Sequence, residues 1–484
     1  MIRALGLKEV AAFMQAQNKV TAEVFNGDAA FTQVNTDTRS LVAGELFVAL
    51  RGERFDAHDF IQDAANKNPI ALVVEKFFPE IALPQLVVSD CLLALGKIAA
   101  FNRELFTGKL IAITGSSGKT TVKAMLASIL QEAGSTHATK GNFNNHIGVP
   151  LTLLQLNADH QFAVIEMGAS GPGEIAYLCE LAKPQVSMIN NVMPAHIEGF
   201  GSIEGVAKAK GEIYQALTAA SVAVINIDDR FANGWIAELK TKKSIRVSLQ
   251  NHVADIFASD IGLNHPTPSG HPFEGGEFSG IRFNLHYQSQ ELSVTMLAQG
   301  EHNVRNALMA AACATAVGVD LQKIQSGLQK FSPVSGRMSR YIGINNTQII
   351  DDSYNANPGS VRAAIDVLST IPGSVLVLGD LAELGEDTEK LHAELGDYAR
   401  QKNIQKVFTL GKLSANVSRA FGKGAEHFTD RDSLIEKLKQ QASPSTTFLI
   451  KGSRSARMDM IVNALCATDS SKNNTHKIMA GECH

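Results

Sequence analysis

The stretch "LIAITGSSGKTTVKAML", residues 110–126, decides what kind of fold this chain can have. Leu110 to Thr114 is a short apolar run of the kind that makes a buried strand. Gly115, Ser116, Ser117 and Gly118 follow, small enough for their backbone N–H groups to turn inward around an anion. From Val122 onward the apolar positions Met125, Leu126, Ile129, Leu130 and Ala133 recur at helical spacing, and Gly134 is a natural stop. A helix N-terminus therefore points at the loop, where its orphan N–H groups and partial positive charge favour phosphate. Lys119 is placed to reach the outer phosphates, Thr120 to bind Mg²⁺, and Thr121 completes the motif. The glycine that usually stands five positions before Gly118 is replaced by Ile113, so this is a shortened P-loop.

At 484 residues, the usual 100–200 residues per domain predicts roughly three domains. The chain is 45% hydrophobic and 19% charged with net charge −4, which leaves no basic footprint for a nucleic-acid backbone. No apolar run approaches the roughly 18 residues of a membrane span. The opening "MIRALGLKEVAAFMQAQ" is interrupted by Lys8 and Glu9, so it reads as an amphipathic helix and not as a signal peptide. Cys91, Cys179, Cys313, Cys466 and Cys483 are odd in number and lack CxxC spacing, which predicts reduced thiols in a cytoplasmic protein.

Short β-rich runs alternate with helical patterns along the chain: "ALVVEK", "QLVVSD", "LIAITG", "FAVIEMG", "VSMINNV", "VAVINIDD", "SVLVLGD", "KVFTLG" and "TFLIKG". Such alternation predicts an α/β fold of mostly parallel sheets whose ligands gather at the strands' C-terminal ends. Boundaries are expected near Pro84 and near "FSPVSGR" at 331–337, giving units at 1–84, 85–332 and 333–466, with a disordered tail at 467–484. The Pro- and Gly-rich segment 264–280 reads as a loop or hairpin insertion; its His265 and His271 lack metal-ligand spacing.

Polar residues just past the strands are the site candidates. Glu166 ends "FAVIE", where its carboxylate either holds Mg²⁺ opposite Thr120 or serves as a solvated or helix-capping group. His196 follows a second strand, in a place where a lone histidine is more often structural. Lys208 and Lys210 lie on a helical pattern, where surface exposure is the default. Asn303 and Asn306, one turn apart after His302, either present amides to a purine edge or cap the helix.

The order of these pieces resembles one family. "TGSSGKTT", "EMGA", "PAHIEGFGS", "AKGEI", "HNVRNA" and Gly336–Arg337 follow one another as in the Mur ligases, ATP-dependent amide-forming enzymes of bacterial cell-wall synthesis. Longer matches cover nearly the whole chain to about residue 466: "NTDTRSLVAGELFVALRGERFDAHDFI" from Asn35, "GNFNNHIGVP" at 141–150, "DDSYNANPGS" at 351–360, "GDLAELGE" at 379–386 and "KGSRS" at 451–455. They resemble the branch that adds D-alanyl-D-alanine to UDP-N-acetylmuramoyl-tripeptide.

That resemblance implies three α/β domains: a smaller N-terminal one for the uridine nucleotide, a central P-loop ATPase, and a C-terminal Rossmann-like domain that closes over the site. It implies ATP and two Mg²⁺ ions as cofactors. Lys119 and Thr120 would grip phosphate and the first Mg²⁺ with Glu166; His196 and a carbamylated Lys210 would serve the second. Asn303 and Asn306 would sit by the adenine, and Arg337 and Asp352 would reach phosphate and ribose from the last domain. Thr38, Arg39 and Ser40 match the uridine-nucleotide segment, and Asn145 and His146 the loop facing the sugar-peptide. Tyr354, Asn355, Asn357, Lys451, Ser453 and Arg454 would meet the dipeptide. Neither nucleic acid nor membrane is implied as a partner, and a monomer is expected. A signalling P-loop NTPase would leave 331–466 without a purpose. A folylpolyglutamate synthetase or another Mur enzyme would share the ATP motifs and differ in the outer domains.

Overall fold

The structure, a computed structural model, describes residues 1–17, 20–52, 55–195, 197–249, 251–264 and 280–466. His196, His265, His271 and the expected tail at 467–484 lie outside the described residues. Three larger sheets follow one another along the chain, with five, nine and six strands.

The nine-stranded sheet carries the P-loop. Its strand Lys109–Thr114 pairs in parallel with Phe162–Glu166 on one side and Val186–Ile189 on the other. Parallel pairing continues through Val222–Asn226 and Lys243–Ser248 to Ile256–Asn264, then gives way to an antiparallel pair, Gly280–Tyr287 and Gln290–Met296. Asn264 and Gly280 are register partners in the antiparallel pair, and the Pro- and Gly-rich stretch 265–279 between them lies outside the described residues.

Burial on both faces accounts for the near-continuous apolar strand. Leu110 and Ala112 point into a core shared with the first unit, whereas Ile111 and Ile113 point into a second core on the opposite face. All four are fully buried. Helix Lys119–Gln131 covers the second face with Val122, Met125, Leu126, Ile129 and Leu130. It packs on helices Glu301–Ala316 and Leu321–Lys330. Gly327 permits the second of these crossings, because a Cβ there would lie 2.3 Å from the Ile129 Cα.

The first unit corrects the expected boundary. Strand Gln85–Val88 belongs to the five-stranded sheet, parallel to Ala71–Val74 and antiparallel to Ala22–Phe25, so a boundary at Pro84 cuts that sheet. The reason is a buried side chain. The Gln85 amide accepts from Phe78 N at 3.0 Å and donates to Phe78 O at 2.8 Å, closing the segment around Pro84 into a turn within the unit. Helix Cys91–Glu104 then bridges to the central unit. Its Asn102 amide donates to Leu153 O at 2.9 Å, Arg103 Nε donates to Ala182 O at 2.7 Å, and Lys97 Nζ meets Glu180 at 2.9 Å. The amphipathic N-terminal segment forms helix Leu7–Ala16 with Leu7, Val10, Ala11 and Met14 buried.

The last unit begins after helix Leu321–Lys330. Its sheet runs Ser339–Ile342, Gln348–Asp352, Thr447–Lys451, Ser374–Gly379, Lys406–Leu410, Ala425–Phe428, parallel except for the first pair. Cys91, Cys179 and Cys313 are free and buried, consistent with thiols used as core filler. Among the described residues no helix is long and apolar enough to cross a membrane.

Candidate active site

The C-terminal ends of the central and last sheets face each other across a cavity of about 390 Å³. Its wall brings together Ser116 to Thr121, Glu166, Lys210, Asn303, Asn306, Arg337 and Asp352, residues spread over nearly half of the chain.

The phosphate loop is held open by asparagines that follow strand Val186–Ile189. Asn191 accepts from Ser116 N with its backbone oxygen and from Ser117 N with Oδ1, both at 2.9 Å, and Asn190 Nδ2 donates to Ser117 O at 2.8 Å. Gly118 has φ +77°, and a Cβ there would lie 2.5 Å from Asn190 Nδ2, so glycine is required on both counts. Lys119 curls back to donate to Gly115 O at 2.8 Å. Burial pushes its ammonium pKa down, against the pull of Glu166.

Glu166 is 2% exposed. Its Oε1 accepts from Asn144 Nδ2 at 2.8 Å and from Thr120 Oγ1 at 3.3 Å. Oε2 lacks a well-directed hydrogen bond among the described residues, although Lys123 Nζ stands 3.2 Å from it. Burial alone would raise this carboxyl; Lys123 and Lys119 outweigh it and hold the group below the usual range. A buried anion with one unsatisfied oxygen and a neighbouring hydroxyl fits a divalent cation, which takes oxygen ligands. The capping and solvated readings of Glu166 do not fit this burial.

Lys208 and Lys210, two positions apart on helix Ile203–Gln215, have opposite fates: Lys208 is exposed and Lys210 is 2% exposed. Burial, reinforced by the charge of Lys119, lowers Lys210 to about 7. Its ammonium lies 6.0 Å from the Phe200 ring, and among the described residues it has no hydrogen-bond partner. No group of three or more His, Cys, Asp or Glu side chains is gathered for a metal among the described residues.

The amides of Asn303 and Asn306 do not cap helix Glu301–Ala316, whose N-cap is Gly300. Asn303 Nδ2 donates to Gln299 O at 2.8 Å, Asn306 Nδ2 to Asn303 Oδ1 at 3.0 Å, and Asn190 Nδ2 to Asn306 Oδ1 at 2.9 Å. This chain of amides joins the helix start to the phosphate loop.

From the last unit, Arg337 stacks 4.3 Å from the Tyr354 ring centroid and Arg454 lies 5.6 Å from the same centroid. Lys451, 2% exposed, pairs with Asp352 at 2.5 Å and donates to Asn355 O at 3.0 Å. Asn357 lines the cavity, but its Oδ1 caps helix Pro358–Leu368 and its Nδ2 donates to Ser116 O at 3.4 Å. Its side chain is committed to structure and to contact between the two units. Ser453 does not line the cavity and donates to Asp380 O at 2.6 Å.

Three expected groups stand apart. Thr38, Arg39 and Ser40 follow strand Val34–Asn35 of the first sheet and do not line the cavity; Arg39 pairs with Asp37 at 2.6 Å, which holds that carboxyl down at about 2. Asn145 lines the cavity whereas its neighbour His146 is exposed and does not. Sequence reading missed Asn144, Asn190, Asn191 and Lys123. The doubled asparagines, in "NFNN" and just past a strand-like run in "INNV", were the available signal.

These features define a P-loop site completed by a second α/β unit. The Mur ligase middle domain matches residues 113–314, and the Mur ligase glutamate ligase domain matches 336–454. The chain belongs to the Mur ligase family. It is 42% identical over 454 residues to the UDP-N-acetylmuramoyl-tripeptide--D-alanyl-D-alanine ligase of Escherichia coli, covering 93% of this chain and 97% of that one. The enzyme of the same name from Haemophilus influenzae is 41% identical over 444 residues, covering 90% and 93%. Among solved structures, MurF from Acinetobacter baumannii superposes with TM-score 0.86 at 33% identity, covering 96% of this chain and 99% of that one. MurF from Thermotoga maritima, in complex with ADP, gives TM-score 0.78 at 26% identity, covering 90% and 96%.

Proposed function

We propose that this chain is an ATP-dependent ligase that joins D-alanyl-D-alanine to UDP-N-acetylmuramoyl-tripeptide in the synthesis of peptidoglycan precursors. The observation that carries the reading is the convergence of Lys119, Glu166, Lys210 and Arg337, from two units, on one cavity. The likeness to the Escherichia coli enzyme over nearly the full length of both chains supports it.

The chemistry suits such a wall. A carboxylate is a poor acyl donor, so the tripeptide's terminal carboxylate oxygen attacks the γ-phosphorus of ATP; the bond to the β–γ bridging oxygen breaks and ADP leaves with that electron pair. The dipeptide amine then attacks the acyl carbon, gives up a proton, and phosphate leaves with the C–O pair. In this reading Lys119 and Arg337 stabilise charge on the transferring phosphoryl group. The P-loop amides and Thr121 hold the nucleotide phosphates, Asn303 and Asn306 the adenine side, and Asp352 the ribose. Mg²⁺, when bound, neutralises charge between approaching anions; Thr120 and Glu166 suit one ion, and His196 with a modified Lys210 would hold the second.

Lys210 as an amine would repel a cation. With its pKa lowered to about 7, a sizeable share of it is neutral near pH 7 and can attack CO₂. An N–C bond forms, one proton is lost, and the resulting carbamate carries oxygen ligands in place of a positive charge. In the first unit, Thr38, Arg39 and Ser40 are assigned to the uridine nucleotide, and Asn145 and His146 to the sugar-peptide side. In the last, Tyr354, Asn355 and Arg454 are assigned to the dipeptide. The proposed units are 1–88, a central ATP-binding unit to 332, and 333–466, acting in a monomer.

A phosphate-release assay tests this. Release should require ATP, a UDP-N-acetylmuramoyl-tripeptide and D-alanyl-D-alanine together. Equal release without the dipeptide, or with a free amino acid in its place, would overturn it.

A further inference from the structure

Lys123 has no assigned purpose in the reaction above, yet it is the cation nearest the Glu166 carboxylate. It lies one turn beyond Lys119 on the same helix and is 6% exposed. Its ammonium stands 3.2 Å from Glu166 Oε2 and donates to Gly141 O at 3.2 Å. Gly141 opens the loop that supplies Asn144, whose amide holds the other oxygen of the same carboxylate at 2.8 Å. That loop is fixed in turn by Gly168 N donating to Asn144 O at 2.8 Å and by Glu166 N donating to Thr139 Oγ1 at 3.0 Å. Glu166 is thus clamped between a lysine from the P-loop helix and an amide from the cavity wall.

The physical difficulty this solves is repulsion. A buried carboxylate beside a phosphate-binding loop repels any nucleotide that arrives without its metal, and low local dielectric makes that repulsion large. A fixed ammonium at Oε2 removes it. We propose that Lys123 is a positioning residue that serves as a resident stand-in cation for Glu166, allowing nucleotide to bind before the divalent ion is in place. The proposal rests on the nucleotide-binding reading of the cavity. Lys123 acts through Glu166 and contacts neither phosphate nor the reacting carbonyl.

Such a role leaves a signature that a merely structural lysine would not. Removing the charge should weaken metal-free nucleotide binding and spare binding when Mg²⁺ is present, because the ion then neutralises the same carboxylate. The experiment is calorimetric titration of the full-length protein with ADP, once in EDTA and once in saturating Mg²⁺. For Lys123→Met the expected loss is on the order of tenfold in EDTA and under about twofold with Mg²⁺. Lys123→Arg, which keeps the charge, should follow wild type in both. Adding Glu166→Gln to Lys123→Met should restore ADP affinity in EDTA, since the unpaired carboxylate is gone. Equal losses with and without Mg²⁺, no loss in EDTA, or failure of Glu166→Gln to restore binding would each overturn the proposal. Should Lys123→Met not fold, the Lys123→Gln variant is read by the same pair of titrations. If wild type itself fails to bind ADP under either condition, the nucleotide reading falls, not this inference alone.

Discussion

Asp352 and Lys451 end two adjacent parallel strands as register partners and meet there in a 2.5 Å ion pair. The pairing explains how a lysine can be 2% exposed in the last unit: its charge is met by Asp352 and by Asn355 O. It also means that Lys451 is not a loose cation waiting for a substrate. Lys451→Met should leave Asp352 unpaired at the sheet end and destabilise the protein by on the order of 2–4 kcal/mol. The double variant Lys451→Met, Asp352→Asn should recover part of that loss. Urea denaturation of the three proteins checks this, and an unchanged midpoint for Lys451→Met would show the pair to be incidental.

With Lys451 committed and Arg337 proposed for the phosphoryl group, Arg454 is the cavity cation that we propose meets the dipeptide's terminal carboxylate. Its side chain is 67% exposed, rests near Tyr354, and its acidic neighbour Asp459 is 3.7 Å away. Arg454→Gln should raise the dipeptide KM by about tenfold to a hundredfold, the worth of a hydrogen bond to a charged group, and leave the KM for ATP near its original value. D-alanyl-D-alaninamide supplies the sharper test. Wild type should discriminate against this uncharged analogue, and Arg454→Gln should accept acid and amide almost equally. Discrimination that survives the substitution would place the carboxylate elsewhere.

Lys119→Ala should reduce turnover by on the order of 10²–10³ or more, since it removes a preorganised charge at the transferring phosphoryl group. Stability should not fall with it. Burial already lowers the pKa of this ammonium, so its charge opposes folding and its removal costs the fold little. Single-turnover kinetics beside a melting curve separate the two effects. Retained turnover at an unchanged melting temperature would remove Lys119 from the mechanism.

Much of this site was legible because strand ends are marked in sequence by polar residues after apolar runs. All nine β-rich runs contain strands, Glu166 and Lys451 stand at the last positions of two of them, and Asp352 ends a further strand, Gln348–Asp352. What escaped was set by contacts between distant segments. Nothing near Lys123 announces a carboxylate 43 positions later, and nothing near Asn190 announces the loop at Ser117. Pro84 misled for a similar reason: a proline in a polar run reads as a linker, and only the buried amide of Gln85 shows it to be a turn inside the first unit. Asn357 was drawn to the substrate by its motif, whereas a capping box and a bond to Ser116 occupy its side chain.

Lys210 gives the prediction with a sign that can be worked through. Its folded pKa, lowered to about 7 by burial and by Lys119, lies well below the unfolded value of about 10.4. Between those values the unfolded chain binds a proton that the native protein does not, so stability rises with pH across the window. Below pH 7 both states are protonated and the full penalty of a buried charge is present. In CO₂-depleted buffer at pH 7, Lys210→Met should therefore be more stable than wild type, by on the order of 1–4 kcal/mol. The difference should shrink as pH is raised toward 10. The same variant should be nearly inactive, because it cannot form a carbamate. Lys210→Ala should regain part of its turnover with formate or acetate, which return a carboxylate to the space, whereas exposed Lys208→Ala should keep its activity. Thermal melts from pH 6.5 to 9.5 and turnover with added formate read both halves. A melting difference that does not vary with pH would argue against a neutral buried amine, and activity indifferent to the Lys210 substitutions would remove the carbamate from the site.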